Sequence, residues 1–175
     1  MTGTTLLDRV RRAFVGASLG VALLATPALA QEPQLVGEFC DWQVHEHSGQ
    51  PAKICFATSQ PKETSPRGIS RSTAFFYVSA WPKDGVKAEV SVKLGFQAPG
   101  DSNVLVQIGS SRFNLFAKGD KAFVEDPRDE LKLLDAMKAG SFMVVTANTT
   151  SGSRVKDTYS LIGVTAALNR IDGCG

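Results

Sequence analysis

Val86-Lys87-Ala88-Glu89-Val90-Ser91-Val92-Lys93-Leu94 alternates apolar and polar residues without a break. A period of two is the repeat of an extended chain whose side chains point alternately to a core and to water. A helix cannot bury such a pattern on one side. The segment therefore commits this part of the chain to a sheet with one dry face. Other runs have the β-branched and aromatic content of strands: Phe39 to His45, Lys53 to Thr58, Thr73 to Trp81, Val104 to Gly109, Arg112 to Ala117, Lys121 to Glu125, Phe142 to Asn148 and Arg154 to Tyr159. Turn residues separate them at Pro82-Lys83-Asp84-Gly85, Ala98-Pro99-Gly100-Asp101, Lys118-Gly119-Asp120 and Thr149-Thr150-Ser151-Gly152. Gln60 to Ser72, mostly polar and with two prolines, is expected to be a long mobile loop.

Two helices interrupt the strands. The first is expected to have Asp126 as N-cap, Pro127 at the first helical position, an apolar stripe of Leu131, Leu134 and Met137, and a stop at Gly140. In the second, Ser160 is placed to cap a stripe of Leu161, Val164, Leu168 and Ile171. The expected fold is mainly β: an antiparallel β-sandwich or barrel-like domain with two short helices, one of them C-terminal.

The N-terminus is of another kind. Arg9, Arg11 and Arg12 precede the apolar run Ala13 to Leu24, and Ala28 and Ala30 fit a small-x-small cleavage site. Residues 1–30 read as a cleavable signal peptide cut between Ala30 and Gln31, with 31–175 as one domain. The apolar run is shorter than the about 20 residues of a membrane span and ends at Pro27. Gln31, not Cys, follows the cut, so no lipoprotein anchor is expected. Val10 to Val15 resembles a twin-arginine motif, but arginine pairs also occur in ordinary leaders, so both export routes stay open. Of the 19 basic and 17 acidic residues, the leader holds three and one, which leaves sixteen of each. A neutral domain gives no electrostatic reason to bind nucleic acid, and no membrane span is expected in the mature form.

Cys40, Cys55 and Cys174 all follow the leader, where disulfides persist. A 55–174 bridge closes a loop whose chain entropy is worth roughly 4 to 5 kcal/mol, against about 3 for 40–55, but energy alone does not choose the pairing. Cys40 shares strand parity with Trp42 and Val44 and is expected in the core as a free thiol. Cys174 follows the last helix, where a bridge would pin a fraying end. The expected disulfide is Cys55–Cys174.

Few residues offer chemistry. His45 and His47 share a strand face, as a metal site requires, but no third ligand is apparent and no metal or cofactor is expected. Ser59-Gln60-Pro61-Lys62 matches Ser-x-x-Lys, yet Pro61 opposes the helical turn that motif needs. Asn148-Thr149-Thr150 is a glycosylation sequon by pattern and also suits a hairpin turn, which is preferred here. No catalytic residues are assigned.

Four segments carry a likeness to a known family: Phe39-Cys40-Asp41-Trp42-Gln43-Val44, Ile54 to Gln60, Leu134 to Gly140, and Asp157 to Gly163. In this order and spacing the chain resembles the invasion-associated locus B family of small exported bacterial envelope proteins. It departs from the family pattern at Cys40, where Gly usually precedes Asp-Trp, and at Val164, where an aromatic often follows the glycine. Many members also have a cysteine shortly after the Trp, where this chain has Val44-His45, and the lack of that local partner favours the long-range bridge. The resemblance implies a mainly β fold, envelope localisation and, in some pathogens, a part in host-cell entry; it implies no catalytic residues. The expected function is that of a non-enzymatic exported protein, periplasmic, outer-membrane-associated or secreted, that binds an envelope or host protein. The alternatives are a metal-dependent enzyme using His45 and His47 and a carbohydrate-binding module using Tyr77 and Trp81, which share a strand face.

Overall fold

Strands with one apolar side must bring those sides together, and the architecture follows from how one sheet achieves this. The computed structural model describes residues 32–48 and 52–174. The expected leader with its Ala30–Gln31 cut lies outside them. Eleven strands form one sheet: β1 (Gln34–Phe39), β2 (Trp42–Ser48), β3 (Lys53–Ser59), β4 (Glu63–Ser65), β5 (Phe75–Trp81), β6 (Val86–Lys93), β7 (Asn103–Ile108), β8 (Ser111–Lys118), β9 (Lys121–Phe123), β10 (Phe142–Asn148) and β11 (Arg154–Ser160). Their order is β1-β2-β3-β5-β6-β9-β8-β7-β10-β11-β4, with every pairing antiparallel. The sheet is open and sandwich-like. Phe76 on β5 packs edge-on against Trp42 on β2 and against Tyr159 on β11, with ring centroids 6.2 and 5.9 Å apart. Residues from distant parts of the sheet thus share one core, and all three of these rings are fully buried.

The ends of the sheet approach each other without forming a ladder. Asp41 donates its N–H to the Ile162 carbonyl at 3.3 Å, and the Trp42 indole donates to the Ser160 carbonyl at 3.1 Å. Gly163, with φ of 91°, lies so close that a Cβ would fall 2.0 Å from the Phe39 carbonyl oxygen. Only glycine allows both that backbone conformation and that approach.

Helix α1 (Pro127–Ala139) starts as its sequence indicates: Asp126 accepts a hydrogen bond from the Arg128 N–H, and Pro127 occupies the first turn. Its buried face is not the expected one. Leu133, Leu134 and Met137 are buried, whereas Leu131 is 64% exposed. The inward stripe is 130, 133, 134 and 137, the i, i+3, i+4, i+7 set, and Glu130 belongs to it because its carboxylate accepts the Val90 N–H at 2.6 Å. Helix α2 (Val164–Asp172) begins later than expected. Ser160 ends β11 and accepts the Ile162 N–H, so it holds the approach to the helix, and Gly163 takes the N-cap position. Leu161, Val164, Leu168 and Ile171 are nevertheless all buried.

Two expectations about the segments before β5 are corrected. Phe39 to His45 is not one strand: Cys40 and Asp41 form a two-residue hairpin turn between β1 and β2. Cys40 has φ of 53° and is exposed, so the parity that was to carry it into the core is broken at this turn. Such hairpins take glycine where φ is positive, which is a physical reason for a glycine before Asp-Trp. Nor is Gln60 to Ser72 simply a loop, since it contains β4, paired with β11 through Lys156↔Ser65, Asp157↔Thr64 and Thr158↔Glu63.

Cys55 on β3 is bonded to Cys174 just beyond α2, a separation of 119 residues, and Cys40 is free. The bridge ties the last helix to the strands on which it packs. Reducing it is expected to lower the unfolding free energy by about 4 kcal/mol in denaturant titrations, and a non-reduced tryptic digest is expected to yield the peptide linking Cys55 to Cys174. Gly163→Ala is expected to cost more than about 1 kcal/mol in the same titration, since it adds a clash to a disfavoured φ.

Candidate functional site

The solvent-facing side of β2, β3 and β5 carries an aromatic platform. In these strands Trp42, Val44, Cys55, Ala57, Phe76 and Val78 point inward, so alternation turns His45, Phe56, Phe75 and Tyr77 outward. The His45 imidazole stacks on Phe56, with centroids 5.2 Å apart and planes 12° apart. Phe56 lies 6.2 Å from Tyr77, and Tyr77 lies 5.8 Å from Phe75. The four rings are half-buried and form one continuous row. Burial pushes the His45 imidazole below and the Tyr77 hydroxyl above their ordinary pKa values, so both are neutral near pH 7. A neutral aromatic surface of this kind can bind apolar or planar groups without desolvating a charge.

His47 shares the outward side with His45, but its Nδ1 is buried and has no hydrogen-bond partner among the described residues. Among those residues no three His, Cys, Asp or Glu side chains are grouped to hold a metal ion. His45 is engaged with Phe56 instead. Trp81 is half-buried, and its indole N–H is enclosed without a partner among the described residues, so it does not extend the row formed by Tyr77. Ser59 and Lys62 do not face each other as a catalytic pair. The Ser59 hydroxyl donates to the Asp41 carbonyl at 2.8 Å, and Lys62 forms an ion pair with the Asp41 carboxylate. Lys62, and after it Ser160, hold the Asp41 carboxyl below the usual carboxylate range. This cluster braces the β1–β2 turn where the sheet ends meet.

A family model described as Invasion associated locus B (IalB) protein matches residues 42–172. The chain belongs to the invasion associated locus B family. Its fold is similar to the crystal structure of invasion associated protein B from Bartonella henselae, with a TM-score of 0.55 and 18% identity over 81% of this chain and 96% of that one. No curated protein matches significantly. The family match begins at Trp42, the residue whose indole joins the two ends of the sheet.

The sequence puts Tyr77 and Trp81 on one strand face without deciding whether that face is dry or wet, and it does not single out Phe56 or Phe75. The signal was present in the alternation of Phe75, Tyr77 and Ser79 against Phe76, Val78 and Ala80. What alternation lacks is the register that sets Tyr77 opposite Thr58 and His45 opposite Phe56.

The His45 stacking is open to titration. Proton NMR is expected to place the His45 pKa below the roughly 6.5 of a free imidazole. Because the folded state binds this proton less readily than the unfolded state, stability is full above about pH 6.5 and falls as the pH drops through the lowered value. His45→Gln is expected to lose less stability between pH 7 and 5 than the wild type.

Proposed function

We propose that this protein acts outside the cytoplasm, in the periplasm, at the outer membrane or secreted, as a non-enzymatic binding protein whose partner is an envelope or host protein. The observation that carries this reading is the outward row of His45, Phe56, Tyr77 and Phe75. These rings line the solvent side of a sheet whose other side already supplies the core, so packing in the core does not account for them. Aromatic residues supply much of the binding energy at protein interfaces, where their large area is buried with little loss of side-chain freedom. Family membership supports an envelope role, in host-cell entry or envelope maintenance, and the Cys55–Cys174 bond suits an oxidising compartment.

The test is genetic and biochemical together. Deletion is expected to reduce envelope integrity or host-cell entry, and the wild-type gene is expected to restore it. A Phe56→Thr, Tyr77→Thr double variant keeps residues suited to strands and should fold, yet it is expected to fail in complementation and to lose the envelope or host protein that the wild type retains. Unchanged behaviour of the deletion strain in both assays, or full complementation by the double variant, would overturn the proposal.

A further inference from the structure

On other strands, a groove of about 970 Å3 runs along the outward side of β4, β11, β10 and β7 and is bounded by residues 67–71. Ser65, Gln107, Thr146 and Thr158 give it hydroxyl and amide groups, and Ile69 and Val144 are its apolar lining. Four cations border it, and two are already neutralised: Lys62 by Asp41 and Arg71 by Asp157. Arg67 and Lys156 are exposed and have no ion-pair or hydrogen-bond partner among the described residues, while Glu63 is the one carboxylate on the lining.

The wall that carries Arg67 is held at both ends. On one side β4 pairs with β11. On the other, the Arg71 guanidinium reaches both oxygens of Asp157 at 2.6 Å, the Thr64 hydroxyl at 2.9 Å and the Leu94 carbonyl at 3.1 Å. Thr64 in turn donates to Asp157 at 2.7 Å. Arg71 and Asp157 are both nearly buried, at 10% and 5% side-chain exposure. A buried pair contributes little net stability because desolvation offsets its attraction. What this pair does achieve is position: it fixes the segment 63–71 over the sheet.

We propose that this groove binds an acidic saccharide, one bearing phosphate or carboxylate groups, with Arg67 and Lys156 engaging the anionic groups and the hydroxyl and amide side chains engaging the sugar. A volume near the upper end of ligand sites accommodates more than a single small anion. An acidic peptide would call for apolar side-chain pockets, and this lining is mainly polar. The proposal goes beyond the protein-partner reading and rests on strands other than those of the aromatic platform, so either can fail alone.

The test uses the disulfide-bonded protein and isothermal titration with four probes: a hexamer of galacturonic acid, whose sugars each bear a carboxylate, a neutral maltohexaose, inorganic phosphate, and vesicles containing anionic phospholipid. The acidic hexasaccharide is expected to bind, more weakly as salt rises, and the neutral one is not. Phosphate is expected to compete only at much higher concentration. An Arg67→Ala, Lys156→Ala variant, altered at two exposed positions, is expected to weaken hexasaccharide binding by about tenfold or more through lost charge-assisted hydrogen bonds. Phe56→Thr, Tyr77→Thr is expected to leave it unchanged. No hexasaccharide binding, equal binding of the neutral sugar, vesicle binding alone, or undiminished binding by the Arg67, Lys156 variant would each overturn the proposal.

Discussion

A sheet of eleven strands with one apolar face must have that face covered in water; here distant strands curl to share one core, and the contact that completes the curl is the meeting of Asp41 and Trp42 with Ser160 and Ile162. Trp42 serves in two ways there. Its ring fills the core against Phe76 while its N–H satisfies a strand-end carbonyl on the far side of the sheet. Because Gly163 lies against the Phe39 carbonyl, the entry to α2 is set at the same place. The helix can then run back over β1, β2, β3 and β5 and deliver Cys174 to Cys55. The hairpin, the last strand, the last helix and the disulfide therefore depend on one seam.

Two carboxylates extend the same economy of polar groups into places where strand pairing stops. On β6, pairing with β9 covers only Ser91–Lys93, and Glu130 of α1 accepts the N–H of Val90, the next residue along, as a strand carbonyl would. Burial, which raises the Glu130 pKa, outweighs the opposing effect of that hydrogen bond. Asp157 on β11 is the second case. It lies on the inner side of the sheet, is 3% exposed, and is matched by Arg71 and Thr64. An unpaired carboxylate at either site would leave a charge poorly solvated, at a cost that partner residues from distant segments remove.

Much of the strand pattern was legible because alternation is local. Val90, Val92 and Leu94 are buried, and Lys93 is not, as a period of two requires. Helix α1 was legible at its ends, through Asp126, Pro127 and Gly140, more than along its face, where the choice between Leu131 and Leu133 depends on the surface the helix meets. β1 and β4 were not legible. β1 is broken by a register shift between Leu35 and Gly37, and only three residues of β4 pair, in a composition typical of loops. Cys40 shows the limit well: strand parity is reliable inside a strand and has no meaning across a turn.

By itself, the sequence determined the class of fold, the family likeness across most of the chain and the positions of most strands, because alternation, turn residues and short motifs act within a few residues of one another. Tertiary structure alone decided the register that lines up His45, Phe56, Tyr77 and Phe75, the exposure of Cys40, and the groove walled by Arg67 and Lys156. Those features depend on contacts between residues many positions apart, such as Arg71 with Asp157 and Trp42 with Ser160. Nothing in either local segment records the presence of the other; only the folded chain brings them within bonding distance.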